Sequence, residues 1–249
     1  MTGKPMDSST RARPKGKMRL HATWQLPDYP ASDFEPYLAT SLVRRHRTIA
    51  TAYHRTLRAI LQDHHNLCGK RLHEVIKESE KQGGGCGKAI RWLALAVWNH
   101  RCLTGSLAPP GLKLNDVDLK DEIHTSFGGL TRLIEVFVAE SRDLDGPGWV
   151  WLTIDTGGLY VESSVGEENP FFTKGRRTLY CIDLWNHAFR CQYASIPEYI
   201  NACFNLVGWD VVERYYRRVR RPLPRSIAKP FCHEPPPSLI SEVPPEVVR

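Results

Sequence analysis

The chain has 249 residues, 41% apolar and 24% charged, enough to bury one sizeable core or two small ones that share it. No apolar run approaches a membrane span, which excludes a helical integral membrane protein and leaves a soluble or peripheral one. Seven cysteines (68, 86, 102, 181, 191, 203, 232) form no CxxC pair. That pattern argues against a secreted disulfide scaffold or a zinc knuckle and for a reducing compartment. The formal net charge of +7 sits on the ends: residues 1–22 and 217–249 hold 13 of the 34 basic residues and 4 of the 27 acidic ones. Such ends hold phosphates by charge rather than read bases, or are simply solvated.

Residues 1–24 read as a basic extension, without the apolar stretch of a secretory signal. A mitochondrial presequence is the expected reading, with plastid or cytoplasm as alternatives, although Pro5, Pro14 and Gly16 interrupt an amphipathic helix. LPDYPASDFEP (26–36) is extended and proline-punctuated. Residues 37–62 follow as a long helix, with Leu38, Leu42, Val43, Ile49, Tyr53, Leu57 and Ile60 at helical spacing. A short amphipathic helix spans 70–80 and stops at the Gly83–Gly85 run. A second long helix covers 88–103, and its WLALAVW centre is apolar on nearly all sides.

SLAPPGLKLND (106–116) breaks this pattern and separates a helical hairpin domain, 25–110, from an α/β domain, 111–216. In the second domain, helices are expected at 117–125 and 129–140. GPGWVWLTID, GGLYVESS and RRTLYCID read as three strands, and 196–216 returns to helix. The basic, proline-rich tail, 217–249, reads as extended. The fold class is therefore α+β: an N-terminal α-helical hairpin domain, then an α/β domain with a small antiparallel three-stranded sheet.

Four residues carry chemistry in their contexts. His46 lies on the first long helix and His100 closes the apolar part of the second. Asp183 ends the third strand, and His187 follows four residues later. If the hairpin packs on the sheet, two ligands from each half converge. Three imidazoles and one carboxylate make a site for one iron or manganese ion per chain, poorly suited to calcium. One position is left for solvent. His64, His65, His73 and His124 read as solvated.

Several motifs together resemble the iron/manganese superoxide dismutases: LPDYPASDFEPYL, AVWNH followed by SLAPP, FGG at 127–129, GPGWVWL at 146–152, IDLWNHAF at 182–189 and YINACFNLVGWDVVERY at 199–215. The resemblance covers about 25–216. It implies dismutation of superoxide to dioxygen and hydrogen peroxide, with His46, His100, Asp183 and His187 as the metal ligands and a dimer as the assembly. It also exposes departures. Asn186 and Arg190 replace a glutamate and a tyrosine that bridge subunits in the family, and the second bridge's partner histidine is Ala50. The gateway tyrosine falls at His54, or at Tyr53 after a one-residue slip. Leu103 and Thr104 replace an aromatic pair, whereas Trp149 and Trp185 of the apolar shell remain. The glutamine that hydrogen-bonds metal-bound solvent is absent from the iron-type position, Ala96, and falls at Glu167 in the manganese-type position.

His54 and Glu167 are thus the catalytic candidates beyond the ligands. Glu167 is expected to stay ionised beside the cation and to impair turnover. Two functional readings follow. One is a divergent dismutase. The other is a structural component of the mitochondrial ribosome small subunit, paired with an unlike superoxide dismutase-fold chain and holding rRNA or ribosomal proteins through its arms. In the second reading, Tyr215, Tyr216 and the arginines after them either grip RNA or form a solvated helix end.

Overall fold

The computed structural model describes residues 29–220. The basic N-terminal extension, the presequence reading and the tail beyond residue 220 lie outside the described residues. After a short 3-10 turn, Ala31–Phe34, come three helices: α1 (Thr40–Gln62), α2 (Leu72–Gln82) and α3 (Gly84–Ser106). Helices α4 (Val117–Phe127) and α5 (Leu130–Arg142) lead into β1 (Gly148–Ile154) and β2 (Leu159–Val165). Then follow α6 (Pro170–Thr173), β3 (Arg177–Asp183), α7 (Asn186–Phe189), α8 (Ile196–Phe204) and α9 (Trp209–Arg220). Among the described residues no helix is long and apolar enough to cross a membrane. All six described cysteines are free.

Local chemistry sets the ends of these elements. Asp116 caps α4 by accepting from the Leu119 amide at 2.9 Å, and Gly128 closes it in the left-handed region at φ 86°. Ser195 caps α8, and Pro197 sits in its first turn, where the missing N–H costs nothing. Helix α3 is buried from Ala94 through Arg101, so tertiary packing rather than amphipathicity holds it.

The sheet has the order β2-β1-β3, antiparallel throughout. Every residue of central β1 is buried, and its two faces serve different cores. Val150, Leu152 and Ile154 join the main cluster with Leu133, Phe137 and Ile200. Trp149 and Trp151 point the other way, into a small cluster with Leu103 of α3 and Cys181 of β3. The period-2 alternation of a strand thereby aims Trp149 toward the helical hairpin. Asp183 stands opposite Trp149 in the β1–β3 register and so shares that face.

Two expectations need correcting. Residues 196–216 are not one helix: α8 stops at Phe204, and the turn through Gly208 starts α9. In that turn Ala108 N donates to Leu206 O at 2.8 Å and Gly208 N to Ser106 O at 2.7 Å. A Cβ on Gly208 would lie 3.0 Å from Ser106 O, so this close approach favours glycine. The extended tail does not begin at Arg217 either, because α9 runs on to Arg220. Arg217 pairs with Asp116 at 2.5 Å, and Arg220 and Tyr216 both bind Glu122. Tyr216 is buried and so offers no ring face to a base, while Arg217 and Arg218 remain exposed.

Candidate metal centre

Helices α1 and α3 pack side by side, α3 against β3 and α1 against α7, and four side chains meet at that junction. The donor atoms of His46, His100, Asp183 and His187 all lie within 4.8 Å of one another. His46 Nε2 is 2.9 Å, His187 Nε2 3.2 Å and His100 Nε2 3.8 Å from Asp183 Oδ2. The imidazoles face one another, with centroids 4.9 Å apart for His46–His100 and 5.4 Å for His46–His187.

The surrounding backbone fixes which atoms point inward. His100 Nδ1 donates to Ala96 O at 2.8 Å, one turn back on α3, so Nε2 keeps a bare lone pair toward the centre. The Trp185 amide donates to Asp183 Oδ1 at 2.7 Å, which leaves Oδ2 for the interior. Burial would raise the Asp183 carboxyl, but the imidazoles of His187 and His46 outweigh it and hold the group well below the usual carboxylate range. Burial, reinforced by the charge of His46, pushes His100 down to about 3. The site is thus one carboxylate among imidazoles, with His100 neutral.

These residues fit a metal ion. His100 Nε2 is buried without a hydrogen-bond partner. Buried nitrogens left bare in this way are costly unless something accepts their lone pairs. The set of three nitrogens and one oxygen suits iron or manganese.

Around the four residues, the catalytic candidates separate. The ring that meets His100 edge-on is Tyr53, at 5.4 Å, and Tyr53 also contacts Trp92 at 5.6 Å. Seven residues beyond His46 on α1, Tyr53 returns to within about 20° of it around the helix, whereas His54 is turned about 80° away. His54 is half-buried, and burial lowers it, with Arg58 and Arg101 as charged neighbours. Of the two sequence candidates for the gateway, Tyr53 is thus the one whose ring lies beside His100. Burial keeps the Tyr53 phenol protonated, and the nearby charges of Glu167 and Asp183 add to that effect.

Glu167 lies in the turn between β2 and α6, buried to 2% exposure. Asn99 Nδ2 and Trp149 Nε1 both donate to its Oε2, at 2.9 and 3.0 Å. Asn169, the cap of α6, donates to Asn99 Oδ1 at 2.8 Å and fixes the orientation of that amide. Glu167 Oε1 is buried without a partner. Sequence reasoning expected a carboxylate kept ionised by a neighbouring cation. Without a cation, burial, helped by the charge of Asp183, outweighs the bonds from Asn99 and Trp149 and pushes the carboxyl up to about 8. The roles of Asn99 and Asn169 were missed, because no local pattern marks an asparagine as a partner of a residue some seventy positions away.

Comparison with known proteins agrees with this geometry. Residues 115–215 match the family model described as iron/manganese superoxide dismutases, C-terminal domain. A superoxide dismutase [Mn] of Thermus thermophilus is 29% identical over 200 residues, covering 78% of this chain and 98% of that protein. A superoxide dismutase [Fe] of a Nostoc species is 33% identical over 160 residues, covering 64% of this chain and 78% of the relative. The ribosomal reading gains no support from these matches, and the arms it drew on lie outside the described residues. With its fold, its donor set and these relatives in agreement, the chain belongs to the iron/manganese superoxide dismutase family.

Proposed function

We propose that this chain dismutes superoxide to dioxygen and hydrogen peroxide, with His46, His100, Asp183 and His187 holding an iron or manganese ion and Glu167 limiting turnover as it ionises. The observation that carries this reading is the convergence of four donor atoms within 4.8 Å, those of His100 and Asp183 on fully buried residues, with His100 Nε2 lacking any hydrogen-bond partner. When bound, the metal supplies one-electron exchange between its +2 and +3 states.

The chain's own residues do the rest. Trp149 and Trp185 pack against the ligand histidines, at 5.3 Å from His100 and 6.2 Å from His187, and keep bulk water away. By the sequence resemblance, Glu167 stands at the position of the manganese-type glutamine. With two donors on Oε2, that oxygen takes the part of an amide carbonyl. A proton on Oε1 makes the second oxygen a donor, as an amide nitrogen is. The protonated acid therefore reproduces the hydrogen-bond pattern of glutamine, and the ionised acid does not. Tyr53, kept as a phenol, is the second proton-bearing group beside His100.

Pairing into a dimer belongs to the same reading. Asn186 and Arg190 are exposed, and Arg190 Nε donates to Asn186 Oδ1 at 3.4 Å. An arginine set against its own copy across a two-fold axis is repelled, so an unlike partner suits this face better. A tight homodimer in sedimentation would overturn that preference.

The direct test of the function is metal analysis of the purified chain with a dismutation assay, using His100→Ala as control. About one iron or manganese per chain and activity lost with His100→Ala are expected. Full metal occupancy without dismutation would sink the reading.

A further inference from the structure

Outside the metal centre, a second pair of reactive side chains meets where α1 ends and α3 begins. His64, which the sequence reads as solvated, is half-buried just past the end of α1. Its Nδ1 lies 2.9 Å from Ile60 O and its Nε2 3.2 Å from Cys86 Sγ. A carbonyl only accepts, so Nδ1 carries the proton and the lone pair of Nε2 is left for the thiol. A nucleophile, a base within its hydrogen-bond reach and a third group that orients the base make the arrangement of an activated thiol. Cys86 is exposed and lies in the first turn of the 23-residue helix α3, where unpaired amides favour negative charge. The three residues before it are glycines, and a Cβ on any of them would meet nothing within 4 Å, so the approach over this turn is open.

The other described cysteines differ. Burial pushes Cys102 and Cys203 up to about 12 and Cys181 well above its ordinary range, which makes them inert. Cys191 is exposed and accepts from Arg45 Nη1 at 2.9 Å, but a guanidinium takes no proton. Cys68 is half-buried. We propose that Cys86 is a modification site, a thiol oxidised by hydrogen peroxide with His64 as its base. His64 Nε2 takes the thiol proton, and the sulfur attacks one peroxide oxygen. An S–O bond forms as the O–O bond breaks. Sulfur loses two electrons and becomes a sulfenic acid, and the leaving hydroxide takes the proton from His64 as water. Peroxide is small and neutral, so the step needs no enclosing pocket. Cys86 lies about 21 Å along α3 from His100, so its oxidation leaves the metal ligands untouched. Naming the chain's own product as the source of peroxide rests on the dismutase reading above; the reactivity of the thiol rests only on the pair.

The test treats the full metal-loaded chain with hydrogen peroxide, traps sulfenic acid with dimedone and reads the labelled peptides by mass spectrometry. Cys86 should be labelled first. An unaided thiol is only a few per cent thiolate at pH 7, so His64→Ala should slow labelling of Cys86 roughly tenfold and leave that of Cys191 unchanged. His64→Gln, which keeps a polar side chain but binds no proton, should do the same if the first variant fails to fold. Cys191 or Cys68 labelled ahead of Cys86, or an unchanged rate in the His64 variants, would overturn the proposal. No label at Cys86 in a chain that dismutes superoxide would sink the pair and leave the function standing. Labelling by added peroxide in a chain that dismutes none would keep the pair and overturn the metal centre as its source of peroxide.

Discussion

Replacing Glu167 by glutamine removes one proton-binding site while keeping the shape and hydrogen-bond pattern of the protonated acid. The folded metal-free protein holds this carboxyl at about 8, against an ordinary 4.5. An acid whose pKa is raised on folding favours the folded state while it is protonated. Its contribution is complete below pH 4.5 and is lost as pH rises toward 8. The loss runs at about 1.4 kcal/mol per pH unit, no more than about 5 kcal/mol across the window. Glu167→Gln has no such dependence.

Urea unfolding of both metal-free proteins from pH 4.5 to 9 therefore measures the effect, because every other titration cancels in their difference. The wild type should lose ground steadily to the variant up to about pH 8, and the gap should then stay level. In the metal-loaded proteins the cation favours the carboxylate, so the gap should narrow. Because the cation lowers the carboxyl, the wild-type dismutation rate should decline from a lower pH than the metal-free stability does, while that of Glu167→Gln should not. A stability difference independent of pH would refute the protonated Glu167, and with it the account of how this site works without glutamine.

Tyr53→Phe should slow dismutation by up to roughly 10²-fold, as removal of a positioned proton donor does, while His54→Ala has little effect; the reverse order in the assay would put His54 back at the gateway. Asn99→Ala leaves Glu167 and Asn169 with unmet buried groups and should cost about 2–3 kcal/mol, read as a lower thermal midpoint. Truncation after residue 216 removes the pairs of Arg217 with Asp116 and of Arg220 with Glu122 and should cost about 1 kcal/mol by denaturant titration.

The four ligands were legible because each lies in a distinctive local context, and α1, α3 and β3 each show an unambiguous periodicity. What stayed hidden depends on partners distant in sequence. Arg220 reaches Glu122 across 98 positions, and that contact extends α9 into what read as tail. Helix α6 has four residues and owes its start to the Asn169 cap, a signal too short for periodicity. The choice between Tyr53 and His54 turned on the angular position of one residue around α1, which a gapless register could not fix. The protonation of Glu167 had no sequence signal at all. It depends on burial, and on which oxygen receives the two N–H groups from α3 and β1.

That last point bears on why a carboxylic acid can occupy this position. Two carboxyl groups share one buried centre, and both cannot be ionised cheaply before a cation arrives. Their surroundings divide them. Asp183 takes the negative charge, because three imidazoles face its Oδ2 and the Trp185 amide binds its Oδ1. Glu167 receives only two neutral donors, both on one oxygen, and without a cation burial pushes its carboxyl up to about 8. Environments that push two titratable groups apart assign their roles: under the proposed function the first is a ligand and the second, when protonated, a hydrogen-bond donor. Protonated Glu167 gives the centre the same net charge that a glutamine would. The substitution then changes the pH range over which the site keeps that charge, rather than the charge itself.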